Sequence, residues 1–173
     1  MVKLFVKAAS LLFVLLAVVS CSGGSNGLTR AFDFNGNWET NQLTQKFRSD
    51  SCVDVLKNIP LSFPAFAYSV EQVGENITLM DQTGTLTGAD GGDRFRVEDE
   101  SGNPGELVDP ATLEPPFSDP NIECRVQTEI QYTGSDEFSG TILVSFFFLC
   151  VDRTSGETVG SCLLEYEGHS TKQ

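Results

Sequence analysis

The sequence predicts an all-β fold, an antiparallel up-and-down β-barrel of about eight strands. Glycine and polar turn residues recur at short intervals, and Val, Ile, Thr, Phe and Tyr dominate the runs between them, while helical periodicity is scarce. The clearest run, Ile122 to Tyr132, alternates strictly between two faces, as a strand with one face on the core and one in water does. About eight strands commonly close into a barrel. An open β-sandwich is the alternative.

The N-terminal half of the domain predicts one short strand and two hairpins. Gly36 to Thr40 is the short strand, and it carries the only tryptophan, Trp38. The hairpin turns Gly74-Glu75 and Asp90-Gly91 suit types II′ and I′, and the first turn places Val70 opposite Leu79. The hairpin strands are Tyr68 to Val73 with Asn76 to Asp81, and Thr85 to Ala89 with Gly92 to Val97.

The C-terminal half predicts three long strands joined as hairpins. Ile122 to Tyr132 is followed by Phe138 to Val151 and then by Thr158 to Glu167. The middle strand is apolar on both faces, so it is either covered on both sides or presents an apolar patch to a partner.

Two regions do not fit the strand pattern. Asn41 to Ala67 contains a possible short helix, Ser51 to Lys57. Glu98 to Asn121 carries five prolines and predicts a long loop. Loops of this length are usually functional or disordered, and the sequence leaves both readings open.

The N-terminus has the pattern of a secretory signal. Lys3 and Lys7 precede an uncharged apolar run of 12 residues, Ala8 to Val19, which is shorter than the ~20 residues of a membrane-spanning helix. The run ends in Val18-Val19-Ser20-Cys21, which resembles the lipobox of bacterial lipoproteins. The resemblance implies cleavage before Cys21 and attachment of diacylglycerol to its thiol.

This resemblance divides the chain into three parts. Residues 1–20 are the signal peptide, residues 21–31 are the lipidated Cys21 and a flexible tether, and residues 32–173 are a single antiparallel β domain. The implied location is the cell envelope, with the lipid as the contact to a membrane. Ser22 is not Asp, which in enterobacterial lipoproteins favours the outer membrane, on its periplasmic face or at the cell surface.

The remaining cysteines predict two disulfides. An even number of cysteines in an exported chain is typical of disulfide pairing, and three connectivities are possible. A turn centred on Gly156 places Cys150 opposite Cys162, which predicts that bridge and leaves Cys52 with Cys124. No Cys-x-x-Cys pair occurs and the only histidine is His169, so no metal site is expected.

The charge of the chain excludes one class of partner. Without the signal peptide, 9 basic and 24 acidic side chains remain, a net charge of about −15. Such a surface repels nucleic acid, which is bound through Lys and Arg. The charge gives solubility, or it fits a cationic partner.

The first strand of the domain carries a second resemblance. Gly36-Asn37-Trp38 is similar to the Gly-x-Trp of lipocalins and the wider calycin group, in which this Trp packs across the closed end of the barrel. In lipocalins an Arg near the last strand lies over the Trp. No Arg follows Arg153 here, so that partner is missing or is replaced by Lys172.

The sequence contains no nucleophile elbow, phosphate-binding loop or zinc-protease motif, so no enzyme activity and no cofactor are expected. We expect a membrane-anchored, non-enzymatic binding module for an apolar small molecule, because Phe is by far the commonest aromatic residue. The phenylalanines either line a cavity or simply fill the barrel. The alternative is a lipoprotein of the protein-interaction, envelope-assembly or inhibitor type that binds a cationic partner.

Overall fold

The described part of the chain forms a closed eight-stranded antiparallel β-barrel. It comes from a computed structural model and comprises residues 32–82, 84–99 and 105–173. The predicted signal peptide, Cys21 and tether fall on residues 1–31 and lie outside the described residues. The elements are β1 (Gly36–Thr40), β2 (Leu43–Arg48), α1 (Cys52–Val55), β3 (Ser62–Phe63), β4 (Phe66–Val73), β5 (Asn76–Met80), β6 (Thr85–Asp90), β7 (Arg94–Glu98), β8 (Glu106–Leu107), a 3-10 helix (Pro110–Thr112), β9 (Ile122–Gly134), β10 (Ser139–Asp152) and β11 (Thr158–Lys172).

The barrel closes between its first and last strands. The strand order is β1-β4-β5-β6-β7-β9-β10-β11, and β11 returns to β1 with Trp38 opposite Lys172. The three remaining short strands lie outside this ring, since β2 pairs with β11, β3 pairs with β2, and β8 pairs with β9. The predicted all-β barrel is therefore confirmed, and the sandwich is not the fold of the described chain.

The long C-terminal strands follow the predicted alternation. On β9, Cys124, Ile130 and Tyr132 are buried, while Gln127 and Gln131 are exposed. The last strand is longer than predicted, because β11 continues past Glu167 to Lys172 and includes His169. That extension supplies the residues that pair with β1 and close the barrel.

The two N-terminal hairpins differ in how well their turns were predicted. Val70 lies opposite Leu79, as expected. The second turn is displaced along the chain, because Asp90 pairs with Phe95 and the Gly91 N–H donates to the Arg94 carbonyl. The turn therefore falls on Gly92-Asp93 and not on the predicted Asp90-Gly91. The Asp90 carboxylate accepts the Gly92 N–H at 2.6 Å, and Gly92 has a φ of 95°, a conformation that favours glycine at this position of the turn.

Aromatic side chains fill the end of the barrel at which β1 begins and β11 ends. Phe95 stacks on Tyr132 with ring centroids 5.1 Å apart, and Trp38 meets Tyr132 edge-on at 5.2 Å. Phe34, just before β1, packs against Phe95 at 5.0 Å. All four residues are almost fully buried, so this closed end is a packed core.

The two irregular regions cover part of the opposite end. α1 lies in the predicted Asn41 to Ala67 region, and the 3-10 helix lies in the predicted proline-rich loop. They meet through a bridge between Leu56 and Leu113, both buried. Phe117 packs on Gly160, where an added Cβ would lie 2.5 Å from its ring, so glycine is needed for this contact. Residues 105–121 are thus ordered structure, tied to the barrel wall.

The two disulfides form with a connectivity that differs from the predicted one. Cys52 is bonded to Cys162, and Cys124 is bonded to Cys150. The predicted bridge fails because the turn is centred between Thr154 and Ser155, ahead of Gly156, so that Cys150 faces Gly160 and Cys162 faces Phe148. On its other side Cys150 lies directly opposite Cys124, with a Cα–Cα distance of 4.0 Å. Cys162 is therefore free to bond with Cys52 of α1.

The outer face of β10 is apolar and open to solvent. Phe147 and Leu149 are 40% and 37% exposed, and Phe147 lies opposite the half-buried Leu163 of β11. The sequence left open whether this strand is covered on both sides or presents an apolar patch. In the described residues its outer face presents an apolar patch. We call Phe147, Leu149 and Leu163 the outer apolar patch.

Candidate ligand-binding cavity

A cavity of about 580 Å³ occupies the barrel between the packed closed end and the opposite rim. Volumes of roughly 300–1,000 Å³ are typical of pockets for small molecules. Its deepest wall contains Ile130 and Val144, which are almost fully buried on β9 and β10. The described barrel is therefore filled at one end and hollow towards the other.

The inner wall of the cavity is aliphatic and aromatic. Phe63 and Phe146 are in contact, with ring centroids 5.6 Å apart, and Phe66 also lines the cavity. The apolar side chains that line the cavity are Leu43, Phe63, Phe66, Leu86, Ile130, Val144 and Phe146. Walls of this composition favour an apolar ligand, because burial of apolar surface supplies the binding free energy.

The cavity opens where the chain departs from regular strands. Pro64 and Ala65 separate β3 from β4, and both line the opening together with Asp81 and Gln82 after β5. Proline lacks an N–H to donate, so it interrupts the ladder between strands. The irregular segments at 49–61 and 108–121 cover the side near β11 instead, where both disulfides lie. The opening is thus on the β4–β6 side of the barrel.

Acidic side chains are among the described residues that line the cavity. Asp81, Asp99 and Glu106 line it, and the described lining contains no Lys, Arg or His. The Asp99 carboxylate accepts the Thr128 N–H at 2.7 Å, and Asp81 accepts the Gly84 N–H at 3.0 Å. These backbone bonds hold two of the carboxylates at fixed positions beside the apolar interior.

Gly36 and Trp38 lie at the closed end, away from the cavity. Gly36 has a φ of 134°, a region that favours glycine, and a Cβ there would lie 3.0 Å from the Lys172 side chain. The indole N–H of Trp38 donates to the Phe34 carbonyl at 2.9 Å. Lys172 Nζ lies 5.9 Å from the centre of the Trp38 ring, in cation–π range. The basic side chain over the Trp38 ring is therefore Lys172.

A buried hydroxyl network lies next to Trp38. The Tyr68 hydroxyl is 2.7 Å from the Ser170 hydroxyl, and Thr40 donates to Ser170 at 3.2 Å. Burial raises the pKa of Tyr68 to about 12, because the phenolate would lose its hydration. These groups are neutral and mutually satisfied, so they join β1, β4 and β11 and offer no acid or base for chemistry.

The other residues that were singled out from the sequence have structural roles. Cys52, Cys124, Cys150 and Cys162 are all buried in disulfides and lie outside the cavity lining. Asp90, which belongs to the predicted turn, accepts hydrogen bonds from Gln72 and Gly92. Within the described residues, no group of three or more His, Cys, Asp or Glu side chains is placed to hold a metal ion.

The residues that form the cavity were not singled out from the sequence. Phe63, Phe66 and the three acidic residues lie in or beside segments that break the strand pattern. The available signal was the predicted inner face of Phe138 to Val151, which contains Val144 and Phe146. That face indicated burial, but periodicity alone does not distinguish a filled interior from a hollow one.

Searches against models of protein families, curated proteins and solved structures gave no significant match to this chain. The eight-stranded antiparallel barrel itself is compatible with a lipocalin-like architecture. In the part of the chain that the structure describes, none of the helices has the length and apolar character needed to cross a membrane.

Proposed function

We propose that this protein is a lipid-anchored, non-enzymatic binding module of the bacterial cell envelope that holds an apolar small molecule in its barrel. The observation that carries the proposal is the apolar cavity of about 580 Å³. The lipobox-like Val18-Val19-Ser20-Cys21 supports the anchor and the envelope location. A binding role also fits the absence of any catalytic motif in the sequence.

Two features of the barrel support selective binding. The closed end is packed with aromatic side chains, so a ligand would enter from one side only. The disulfide between Cys52 and Cys162 holds α1 against β11, which keeps the opposite rim in place without a ligand. A cavity held open in this way needs little rearrangement on binding, which favours affinity.

The neutral dye N-phenyl-1-naphthylamine tests the cavity directly. Thr128 lies on the inner face of β9 and lines the cavity, whereas Thr133 is exposed on the outer face of the same strand. We expect the dye to bind the native protein, and we expect Thr128→Trp to weaken binding at least about tenfold, because the indole would occupy the cavity. Fluorescence titration measures both.

Thr133→Trp is the matched control and should bind the dye like the native protein. Equal loss of binding in both variants, or no binding by the native protein at any concentration, would contradict the proposal. Organic extraction of freshly purified protein followed by mass spectrometry gives an independent readout, and a bound apolar compound is the expected result.

A second candidate is a protein-interaction role, and the outer apolar patch is the observation that favours it. Phe147 and Leu149 are exposed on a chain with a strong negative charge. A cationic protein partner would bind through charge and apolar contact together, and binding would weaken as salt rises. A pull-down at low salt with Phe147→Ser as the comparison tests this candidate. Equal recovery by both proteins would contradict it.

A further inference from the structure

Aromatic side chains form part of the cavity wall. Phe63 ends β3, Phe66 begins β4 and Phe146 lies on the inner face of β10, and all three line the cavity. Each of them is half-buried, so part of each ring is left uncovered by the protein. The described lining contains no methionine, the side chain that adapts best to irregular surfaces. The wall is thus built from side chains that keep their shape.

Two of the three rings belong to a cluster that holds them in place. Phe63 and Phe146 contact each other at 5.6 Å, and both contact Tyr166, which is fully buried and is not part of the described lining. The centroid distances to Tyr166 are 4.7 Å for Phe63 and 6.0 Å for Phe146. The Tyr166 hydroxyl donates to the Pro60 carbonyl at 2.7 Å. The two lining rings are therefore packed against a fixed support.

An aromatic ring gains more from a second ring than burial of apolar area alone provides. Its faces are negative and its edges positive, so offset-stacked and edge-on pairs with centroids about 4.5–7 Å apart are favoured. All three pairs within the cluster lie in this range. The uncovered parts of Phe63 and Phe146 have the same preference, and a saturated ligand cannot satisfy it.

The rigidity of the wall favours a rigid ligand. A flexible alkyl chain loses rotational freedom when it is confined, whereas a planar ring system has little to lose. Pro64 and Ala65 connect β3 to β4 and also line the cavity. Proline has a fixed φ, and neither residue has side-chain rotamers that a ligand would have to order. Wall and ligand can therefore meet at a small cost in conformational entropy.

We infer that the cavity takes a planar aromatic compound, which packs against the rings of Phe63 and Phe146, in preference to a saturated compound of the same size. Phe63 and Phe146 are then the residues that determine this specificity. The inference rests on the proposed function, since it names the chemical class of the ligand for the same cavity. It depends neither on the surface charge nor on the outer apolar patch.

Two alcohols with the same ring skeleton test the inference. 2-Naphthol is planar and aromatic, and decahydro-2-naphthol has the same carbon skeleton and hydroxyl group but is fully saturated. Each is used to displace N-phenyl-1-naphthylamine from the full chain. We expect 2-naphthol to displace the dye at a concentration at least about fivefold lower, because ring contacts add to the burial of apolar area. The ratio of the two concentrations, measured in one protein, does not depend on how tightly that protein binds the dye.

A double variant assigns the preference to the two rings. Phe63→Leu with Phe146→Leu keeps an apolar wall and removes both aromatic faces, so we expect the ratio to fall below about twofold. The matched control is Phe138→Leu with Phe147→Leu, which removes two rings at exposed positions outside the described lining and should keep the native ratio. Far-ultraviolet circular dichroism compares the fold of both variants with that of the native protein.

The outcomes separate the inference from the proposed function. Equal displacement of the dye by the two alcohols, or stronger displacement by the saturated one, would overturn the inference and leave the proposed function in place, and this measurement needs no variant. The full native ratio in the Phe63, Phe146 variant, or its loss in the control, would overturn the inference as well. Failure of the dye and of both alcohols to bind the native protein would refute the proposed function, and the inference with it.

Discussion

At the residue scale, Trp38 joins the closed end of the barrel to both chain termini of the domain. Its N–H bonds the Phe34 carbonyl, and Lys172 lies over its ring. Lys172 Nζ also donates to the Asp33 carbonyl at 2.9 Å. The Trp38 side chain thus contacts both the residues that enter β1 and the end of β11, where the barrel closes.

Substitution Trp38→Phe should destabilise the fold by about 2 kcal/mol. The change leaves the buried Phe34 carbonyl without its donor and removes part of a fully buried ring system. Urea unfolding followed by circular dichroism measures the free energy, since the only tryptophan is gone. Lys172→Met is the companion variant, with an expected cost of only about 0.5–1 kcal/mol. A larger cost for Lys172→Met than for Trp38→Phe would contradict this view of the closed end.

The tyrosines should titrate late in the folded protein. Burial raises the pKa of all three, that of Tyr68 to about 12. In the unfolded chain a tyrosine titrates near pH ~10, so the stability that Tyr68 contributes is complete below that pH and is lost as the pH rises towards about 12. Absorbance at the tyrosinate band, with and without urea, measures this. Ionisation of the native protein near pH ~10 would contradict it.

At the scale of elements, the disulfides join different parts of the fold. Cys124–Cys150 links the neighbouring strands β9 and β10, with a sequence separation of 26. Cys52–Cys162 links α1 to β11 across a separation of 110. The longer loop restricts the unfolded chain more, so its loss should cost more.

Removal of the long-range disulfide should therefore be the more destabilising change. We expect the double variant Cys52→Ala, Cys162→Ala to unfold at lower urea than Cys124→Ala, Cys150→Ala, with a difference of about 1 kcal/mol from loop entropy alone. Peptide mapping without reductant checks the connectivity first. Equal midpoints, or greater loss in the short-range variant, would contradict the expectation.

The sequence predicts an element well where a single local pattern determines its position. Strict alternation in Ile122 to Tyr132 and the tight turn at Gly74 were enough to place β9 and the first hairpin. The disulfide pairing depended on register, and it failed because the turn lies ahead of Gly156, which leaves Cys150 opposite Gly160. A turn centred on Glu137 places Cys124 and Cys150 at equal distances along the chain, and that observation would have given the correct bridge.

At the scale of the whole molecule, the cavity inside the barrel could not be predicted from the sequence. Val144 and Phe146 have the same apolar pattern whether the space before them is filled or open. The outcome depends on where Pro64 interrupts the strands and on which side the segments 49–61 and 108–121 pack. These are long-range contacts between irregular segments, for which a single sequence carries no periodic signal.

The proposed anchor makes a prediction for the entire protein. In a bacterial host the native chain should fractionate with membranes and carry a mass increase on the N-terminal peptide from acyl groups at Cys21. Cys21→Ala should leave the protein in the soluble fraction, while a Ser22→Ala control should remain with membranes. Recovery of intact Met1 and no acyl mass on the native protein would contradict the anchor.

The position of Phe32 has a consequence for how an anchored molecule would be oriented. Its N–H donates to the Gly92 carbonyl at 2.9 Å, so the chain joins the barrel at the closed end. The residues from Cys21 to Phe32 can span at most roughly 40 Å. An anchor at Cys21 would therefore connect to the sealed base of the barrel and would lie within that distance of Phe32.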